Sequence, residues 1–476
     1  MKILVPQLEL RPYQSMAVES ARDELRNGNH RLIIHAPTGA GKTVIASHII
    51  QSALGRGNQV LFLGHRRELI NQASGKLDAL SIDHGVMMAK HPRTDPTQPV
   101  QVASIQTLVN RLDGMEGSNL IIIDEAHRAE APTYKKILDA YPKAVVLGLT
   151  ATPERSDGKG LGDIFQAIVP VSSVSELTAQ GYLVPAKVYA PSRPDMTGVG
   201  IKRGDYDSAT LSERVDQPDL VGDLPKHWLE YAKGRPTVVF AVNIKHSLHI
   251  RDSFLAVGVR AEHVDGDTPT DERDAILSRL ASGETKVVCN VGILTEGWDL
   301  PQTSCCILAR PTKSVGLYLQ MVGRVLRTFD GKSDAIVLDH AGCVHEHGFP
   351  DDERQWSLEW REKQRRGHGR SKAPAPIRIC KHCFLAMRPS ASQCPACGWK
   401  SEVKSREVVH EDGELKAIEK PPLRPHASQR QVMTTLENLR QTASAKGYKR
   451  GWIWYRLKAT FGERAANEAM RSRRAA

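Results

Sequence analysis

Along roughly the first 300 residues, apolar positions come in short unbroken runs separated by polar stretches of helix length. Leu32–Ile34, Val60–Leu63, Val100–Ala103, Leu120–Ile123 and Ala144–Leu147 read as strands, with Glu68–Leu80 as a helix between two of them. Runs of Val, Ile and Leu without alternation describe strands buried on both faces, the pattern of a parallel sheet covered by helices. Residues 185–215 interrupt it with Pro185, Gly198, Gly200 and Gly204. Alternation then resumes as strand Thr237–Val242, helix Ile244–Ala256, strand Ala261–Val264 and helix Thr270–Ala281. Strands Lys286–Asn290 and Ser304–Leu308, helix Gly316–Arg324 and strand Ala335–Leu338 follow. The pattern predicts two α/β domains, 1–180 and 181–347. Beyond His347 charge replaces periodicity up to about Pro374, and no short-period repeat is present.

A length of 476 residues fits about three domains. No apolar run approaches the roughly 18 residues of a membrane helix. Pro6, Gln7 and Glu9 break the N-terminus too early for a signal peptide. The expectation is a cytoplasmic protein without a membrane partner, nucleoid-associated if bacterial.

Charge divides the chain more sharply than hydropathy does. Residues 1–350 hold 38 Lys+Arg against 40 Asp+Glu, a balance of −2; residues 351–476 hold 27 against 14, a balance of +13. Five of the seven tryptophans (Trp356, Trp360, Trp399, Trp452 and Trp454) lie in that basic last quarter. Lys and Arg suit phosphates and rings suit stacked bases, so the segment is a candidate for nucleic-acid contact. A solvated tail, or a small helical cap whose rings pack on the core, uses the same residues.

Candidate chemistry starts at Ala36-Pro37-Thr38-Gly39-Ala40-Gly41-Lys42-Thr43, between a predicted strand and a predicted helix. That is the layout of a phosphate-binding loop. The glycines let backbone N–H groups turn inward around an anion, and the helix N-terminus adds its positive end. Lys42 would reach the β- and γ-phosphates and the Thr43 hydroxyl would hold Mg²⁺. Asp124 and Glu125 follow the strand Leu120–Ile123. A strand ending in two acids complements such a loop: Asp124 holds Mg²⁺ and Glu125 polarises the attacking water. Gln320-Met-Val-Gly-Arg-Val-Leu-Arg327 lies on a predicted helix, where Arg324 and Arg327, three apart, share a face. Guanidinium groups supplied across a cleft stabilise a transferring phosphoryl group by roughly 10³–10⁵ in rate. Gly331-Lys332-Ser333 imitates the end of a phosphate loop, but with no strand before it a hairpin turn is the expectation.

Cys380-Lys-His-Cys383, then ten residues, then Cys394-Pro-Ala-Cys397-Gly398 is a four-thiolate pattern. Two Cys-x-x-Cys pairs can each clasp one side of a tetrahedral Zn²⁺ and close its shell, the arrangement of a structural site. His382 is expected to face solvent, and His345 and His347 to form an end-of-domain turn. Cys289, Cys305, Cys306 and Cys343 read as reduced core residues. The division continues as a charged linker 348–375, a Cys₄ module 376–402, a linker 403–430 and a basic aromatic segment 431–476, helical in expectation.

In order and spacing, residues 8–345 resemble superfamily 2 helicases and translocases of the DEAH-box type, with two tandem RecA-like domains. Leu10-Arg11-Pro-Tyr-Gln14 resembles their adenine-reading segment, with Arg11 and Gln14 at the nucleotide. Phe62–Leu69 and Ala103–Leu108 resemble their strand-gripping motifs. Asp124-Glu-Ala-His127 resembles the box itself, and Leu149-Thr-Ala-Thr-Pro153 the motif that couples hydrolysis to movement. Cys289–Asp299 resembles the fifth motif, placing Gly297 and Asp299 at the nucleotide, and Gln320–Arg327 the sixth. The resemblance implies catalytic roles for His127 and Gln320 beside Lys42, Asp124, Glu125, Arg324 and Arg327. Ala36 at the loop's first position is usual in that superfamily. The Cys₄ module and the Lys446-Gly-Tyr-Lys-Arg-Gly-Trp452 tail together resemble the RadD-like bacterial DNA-repair helicases.

The expected protein is an ATP- and Mg²⁺-dependent nucleic-acid motor with a structural Zn²⁺. DNA, single-stranded or branched, is the favoured partner, with repair or single-strand-binding proteins beside it. An RNA helicase, a duplex translocase that unwinds nothing, and an ATP-switched binding scaffold fit the same motifs.

Overall fold

The computed structural model describes residues 9–112, 117–154, 160–191, 193–202, 204–359, 376–400 and 428–471. Residues 360–375 of the charged linker, Trp360 among them, and residues 403–427 of the linker 403–430 lie outside them. The chain divides into two compact units, Met1–Glu402 and Val403–Ala476.

The first unit contains two parallel sheets. In the first sheet the strands are β1 (Arg31–His35), β2 (Val60–Gly64), β3 (Gly85–Met87), β4 (Val100–Ser104), β5 (Leu120–Asp124), β6 (Val145–Thr150) and β7 (Ala167–Pro170), in the order β3-β4-β2-β5-β6-β1-β7. In the second they are β8 (Ala186–Tyr189), β11 (Thr237–Phe240), β12 (Ala261–Val264), β13 (Val287–Asn290), β14 (Cys305–Leu308) and β15 (Ala335–Asp339), in the order β12-β13-β11-β14-β15-β8. Between β8 and β11 a small antiparallel hairpin of β9 (Ile201–Lys202) and β10 (Asp205–Tyr206) forms its own two-stranded sheet, held to the second domain by Thr312 and Lys313 donating to Asp205. These are two RecA-like domains.

The unbroken apolar runs do what their composition demands. Successive side chains leave opposite faces of a strand. Leu32 and Ile34 therefore join one apolar cluster and Ile33 another; Phe62 and Ile122 pack with the first pair, Leu61, Leu63, Ile121 and Ile123 with Ile33. In the second sheet Val238 and Phe240 belong to the same cluster as Leu32, and Val239 faces away. One continuous apolar layer thus runs from one domain into the other.

Differences from the sequence pattern have local causes. β6 continues three residues past Leu147, because Gly148, Leu149 and Thr150 remain buried. β8 lies inside the Pro/Gly-rich break as a four-residue edge strand carrying Lys187, too short and too polar at its centre to stand out. Residues 349–359, charge-rich in sequence, return to the first domain: Leu358 packs on its core, Trp356 meets the His35 ring at 5.6 Å, and Gly162 N–H donates to Leu358 O. Asp330–Gly331 is a turn, and Lys332 donates to Pro301 O and Thr303 O.

The Cys module is docked on the second domain. Ala190 N–H donates to Phe384 O at 2.9 Å, and Tyr189 bridges to Leu385. Cys380, Cys383 and Cys394 pack in one cluster with Tyr189, Trp228 and Leu338. His382 is exposed; His347 Nε2 lies 2.9 Å from Thr312 O and its ring stacks on Tyr318.

The second unit is helical: Gln429–Lys446, Arg450–Phe461 and Glu463–Arg471. Ser428 and Gln431 form a reciprocal capping box, and Gly447 closes the first helix at φ 67°. Val432, Leu436, Ala443, Ile453, Leu457, Ala466 and Ala469 form its core.

Candidate active site in the interdomain cleft

The site is assembled from strand C-terminal ends, where α/β sheets collect ligands. β6 lies between β1 and β5, so the phosphate loop after β1 and the acids after β5 flank Thr150 at its end. The loop turns at Gly39 (φ 91°) and Gly41 (φ 83°), in the left-handed region that glycine enters without penalty. Side chains at either place would collide: a Cβ on Gly39 would lie 2.8 Å from Leu183 and 3.3 Å from Arg327, and one on Gly41 2.5 Å from Gln14. Pro37 and Ala40 are buried, and the Thr38 hydroxyl is buried with no protein partner. Thr43 is half-buried in the first turn of helix Lys42–Leu54. A glycine cradle, an unsatisfied hydroxyl and a helix N-terminus suit a polyphosphate.

Gln14 braces this loop. Its Nε2 donates to Ala40 O at 3.0 Å, its Oε1 accepts from Arg11 N–H, and the Tyr13 hydroxyl also donates to Ala40 O. Arg11 lies exposed, its guanidinium 4.6 Å from the centre of the Tyr182 ring.

Lys42 Nζ lies 3.5 Å from Glu125 Oε1. Glu125 occupies the left-handed region at φ 51°, an unfavourable conformation for a side chain of this size and one that recurs at functional positions. Burial and the neighbouring Glu125 charge push the Asp124 carboxyl far above the usual range. Burial would push Glu125 up as well, but the Lys42 ammonium and the His127 ring beside it hold its carboxyl low. The two acids are thus driven apart, Glu125 keeping the charge. His127 Nδ1 is 3.4 Å from Glu125 Oε2 and 3.5 Å from the Thr150 hydroxyl.

The second domain closes the cleft with helix Val315–Gly323. Gly316, Gln320 and Gly323 fall at helical spacing on one face, and that face meets the first domain. A Cβ on Gly316 would lie 3.0 Å from the Thr152 hydroxyl, and one on Gly323 2.4 Å from Thr38 Cβ. Gln320 Nε2 lies 3.5 Å from Glu125 Oε2. The helix stops at Gly323, so Arg324 and Arg327 do not share a helical face as the spacing predicts. Arg324 caps the helix, is buried, and donates to Thr295 O at 3.0 Å and Trp298 O at 2.7 Å. Arg327 lies in a bridge with Leu183, beside Gly39, and pairs with Asp299. Burial, and then the Arg327 charge, push Arg324 down to about 10. Gly297, at φ 67°, faces helix Arg67–Ala79 of the first domain, and its carbonyl accepts from Gln72.

Sequence reasoning passed over the most heavily paired residue in the cleft. Glu296 enters from the second domain, buried, and meets His65 Nε2 at 2.9 Å, Arg128 at 3.0 Å, Arg66 at 3.6 Å and His127 Nε2 at 3.8 Å. Burial alone would raise its carboxyl; His65, Arg128 and His127 overcome it and hold it low. Arg273 of the second domain pairs with Glu68 of the first, and Arg66 donates to Gly292 O. The legible signal was a lone charge in the otherwise uncharged run Val291–Trp298.

Away from the cleft, the four Cys Sγ atoms lie within 4.8 Å of one another, with Cys380–Cys397 and Cys383–Cys394 at 3.6 Å. Tetrahedral thiolates at a Zn–S distance of about 2.3 Å stand roughly 3.8 Å apart, so the cage fits a cation of that kind. Phe384 (φ 58°) and Gly398 (φ 72°) follow the two Cys-x-x-Cys pairs in the same left-handed conformation.

Two domains of this fold, with the Gly39–Gly41 loop of one lying beside Arg327 of the other, have the architecture of a nucleoside-triphosphate-driven motor. Residues 7–155 match the family described as the res subunit of type III restriction enzymes, and residues 220–329 the helicase conserved C-terminal domain. A 51.5 kDa protein of a Lactococcus phage (isolate 7-9) is 32% identical over 393 residues, 82% of each chain. The provisionally assigned ATP-dependent helicase IRC3 of Saccharomyces cerevisiae is 34% identical over 355 residues, 70% of this chain and 52% of its own. This chain therefore spans about half of IRC3. Among solved structures, a fragment of a provisionally assigned HsdR subunit of a type I restriction enzyme from Vibrio vulnificus superposes with a TM-score of 0.58. It is 22% identical, covering 73% of this chain and 67% of that one. The chain belongs to the superfamily 2 helicases, ATP-dependent helicases and translocases.

Proposed function

We propose that this chain is an ATP-driven DNA motor whose hydrolysis requires the two domains to close, acting in repair or recombination in the manner of the RadD-like helicases it resembles. The observation that carries the reading is the approach of Gln320, from the second domain, to Glu125 on the first. In this assignment Lys42 and the loop Pro37–Thr43 hold the β- and γ-phosphates. Thr43 and Asp124 would hold Mg²⁺, which would neutralise phosphate charge. Glu125 takes the proton of the attacking water, and Gln320 and His127 orient its carboxylate. Arg324 and Arg327 face the transferring group, and Asp299 holds Arg327 until phosphate replaces it. Arg11 and Gln14 flank the base, with Gln14 also bracing the loop. Cys380, Cys383, Cys394 and Cys397 hold Zn²⁺. DNA is favoured over RNA because the matched family and the HsdR neighbour are named for restriction enzymes.

The test is ATP turnover measured against single-stranded DNA, blunt duplex, forked duplex and RNA. Stimulation is expected to be greatest with single-stranded or forked DNA. Greater stimulation by RNA would replace the substrate, and equal turnover without any nucleic acid would end the motor assignment. Lys42→Ala is expected to lower stimulated turnover by at least about 10², and Glu125→Gln to bind ATP without turning it over.

A further inference from the structure

Among the described residues three aromatic side chains are exposed, Phe329, Tyr448 and Tyr455, and two of them belong to the small C-terminal unit. Tyr448 lies two residues before helix Arg450–Phe461, and positions 452, 455 and 456 recur at helical spacing along one side of it. The Tyr448 and Trp452 rings lie 4.7 Å apart at 40°, and the Arg456 guanidinium sits 5.5 Å from the centre of the Trp452 ring. Tyr455 is 68% exposed, and its ring meets the edge of Trp454 at 5.0 Å. The unit's core is built from Ile453 and Leu457, which point inward, with Trp452 and Trp454 half-buried against it and the Trp454 ring nitrogen donating to Asn467 at 2.8 Å. A helical cap explains Ile453, Trp454 and Leu457 but leaves Tyr448 and Tyr455 without a structural task.

Charge identifies the occupant. Residues 428–471 hold nine Lys+Arg against three Asp+Glu, a balance of +6 in a unit of three short helices. Lys449 and Arg456, both exposed, flank the rings. A polyanion with accessible π-faces matches this surface. Duplexes present the anion but hide the faces of their bases, whereas an unpaired strand presents both. We propose that Tyr448, Trp452 and Tyr455 form a stacking platform for unpaired bases, a single-strand binding site separate from the motor cleft. It goes beyond the motor reading and does not depend on it, since stacking on the platform needs no ATP.

The experiment compares full-length protein with Tyr448→Ala/Tyr455→Ala by fluorescence anisotropy, using a labelled oligothymidine and a blunt duplex of equal length. Both tyrosines are exposed, so circular dichroism and the melting curve should be unchanged. The expected result is at least about a tenfold loss of affinity for the oligothymidine, with duplex affinity unaltered. Unchanged oligothymidine affinity, or an equal loss on duplex, would overturn the proposal. Lys449→Ala/Arg456→Ala should reduce the slope of log affinity against log salt by about 1.4 for the single strand; an unaltered slope counts against it. Repeating the tyrosine comparison in a Lys42→Ala background separates the two readings. The same loss there supports a platform independent of the cleft, and its disappearance there refutes one.

Discussion

Glu296 Oε2 lies 2.9 Å from His65 Nε2, and the contact joins the two domains. The partners come from widely separated places: His65 and Arg66 follow β2, His127 and Arg128 follow β5, and Glu296 follows β13. Opening the cleft would leave two arginines of the first domain facing each other without their shared carboxylate. The closed cleft thus gives the buried Glu296 carboxylate its cationic partners. His127, placed between Glu125 and Glu296, links the closing contact to the acid proposed to activate water.

Glu296→Gln keeps the shape and removes the charge. Truncating one partner of a buried charge pair costs several kcal/mol in that contact. Nucleic-acid-stimulated turnover is expected to fall by at least about tenfold, while ATP binding to the phosphate loop persists. Steady-state kinetics with a fluorescent ATP analogue separates the two. A fall in binding with kcat intact would assign Glu296 to the nucleotide instead of to closure.

Gly323→Ala tests how tightly the sixth-motif helix seats. The new Cβ would fall 2.4 Å from Thr38 Cβ, inside any permissible contact. A displacement of about 1 Å at a catalytic constellation costs roughly 10² in rate, so turnover should drop by that order. Alanine is a better helix former than glycine by about 1 kcal/mol, and the melting temperature should not fall. Wild-type turnover in Gly323→Ala would show that the catalytic state is more open than this structure.

Metal removal should loosen the second domain, not merely a peripheral finger. The Cys cluster shares a core with Tyr189 and Leu338, and its Phe384 carbonyl is bonded to the edge of the second sheet. Cys383→Ser is expected to lower the melting temperature by at least about 5 °C and to abolish the zinc measured by mass spectrometry of the native protein. Retained zinc in that variant would exclude Cys383 as a ligand.

Buried imidazoles, His35 and His246 among them, contribute to the acid limit of stability. Burial lowers both imidazoles, each to about 4. Unfolding frees each ring to bind a proton near its ordinary value of about 6.5. Between those values the unfolded chain holds more protons, so their contribution is complete above about 6.5 and is lost as pH falls toward about 4. Urea midpoints should decline through that window. His35→Gln should flatten the decline, because an amide can donate to Ala151 O, as the ring nitrogen does, without titrating. An unchanged profile would remove His35 from the account.

Much of this protein was legible before any coordinates. Unbroken apolar runs such as Leu120–Ile123 suit strands buried on both sides, and this one forms β5. The loop Ala36–Thr43 and the Cys spacing were readable because their chemistry depends on residues adjacent in the chain. Contacts between segments distant in sequence were not. Nothing in Gln320–Arg327 announces that its helix ends at Gly323, or that Gly316, Gln320 and Gly323 turn one face toward Thr152, Glu125 and Thr38. The convergence of His65, Arg66, His127 and Arg128 on Glu296 was equally silent, because a charge shows its partner only after folding brings the two within a few ångströms. Local physics determined the strands, the loop and the thiol cage; the cleft, which depends on how two separately formed domains face each other, was decided by tertiary packing alone.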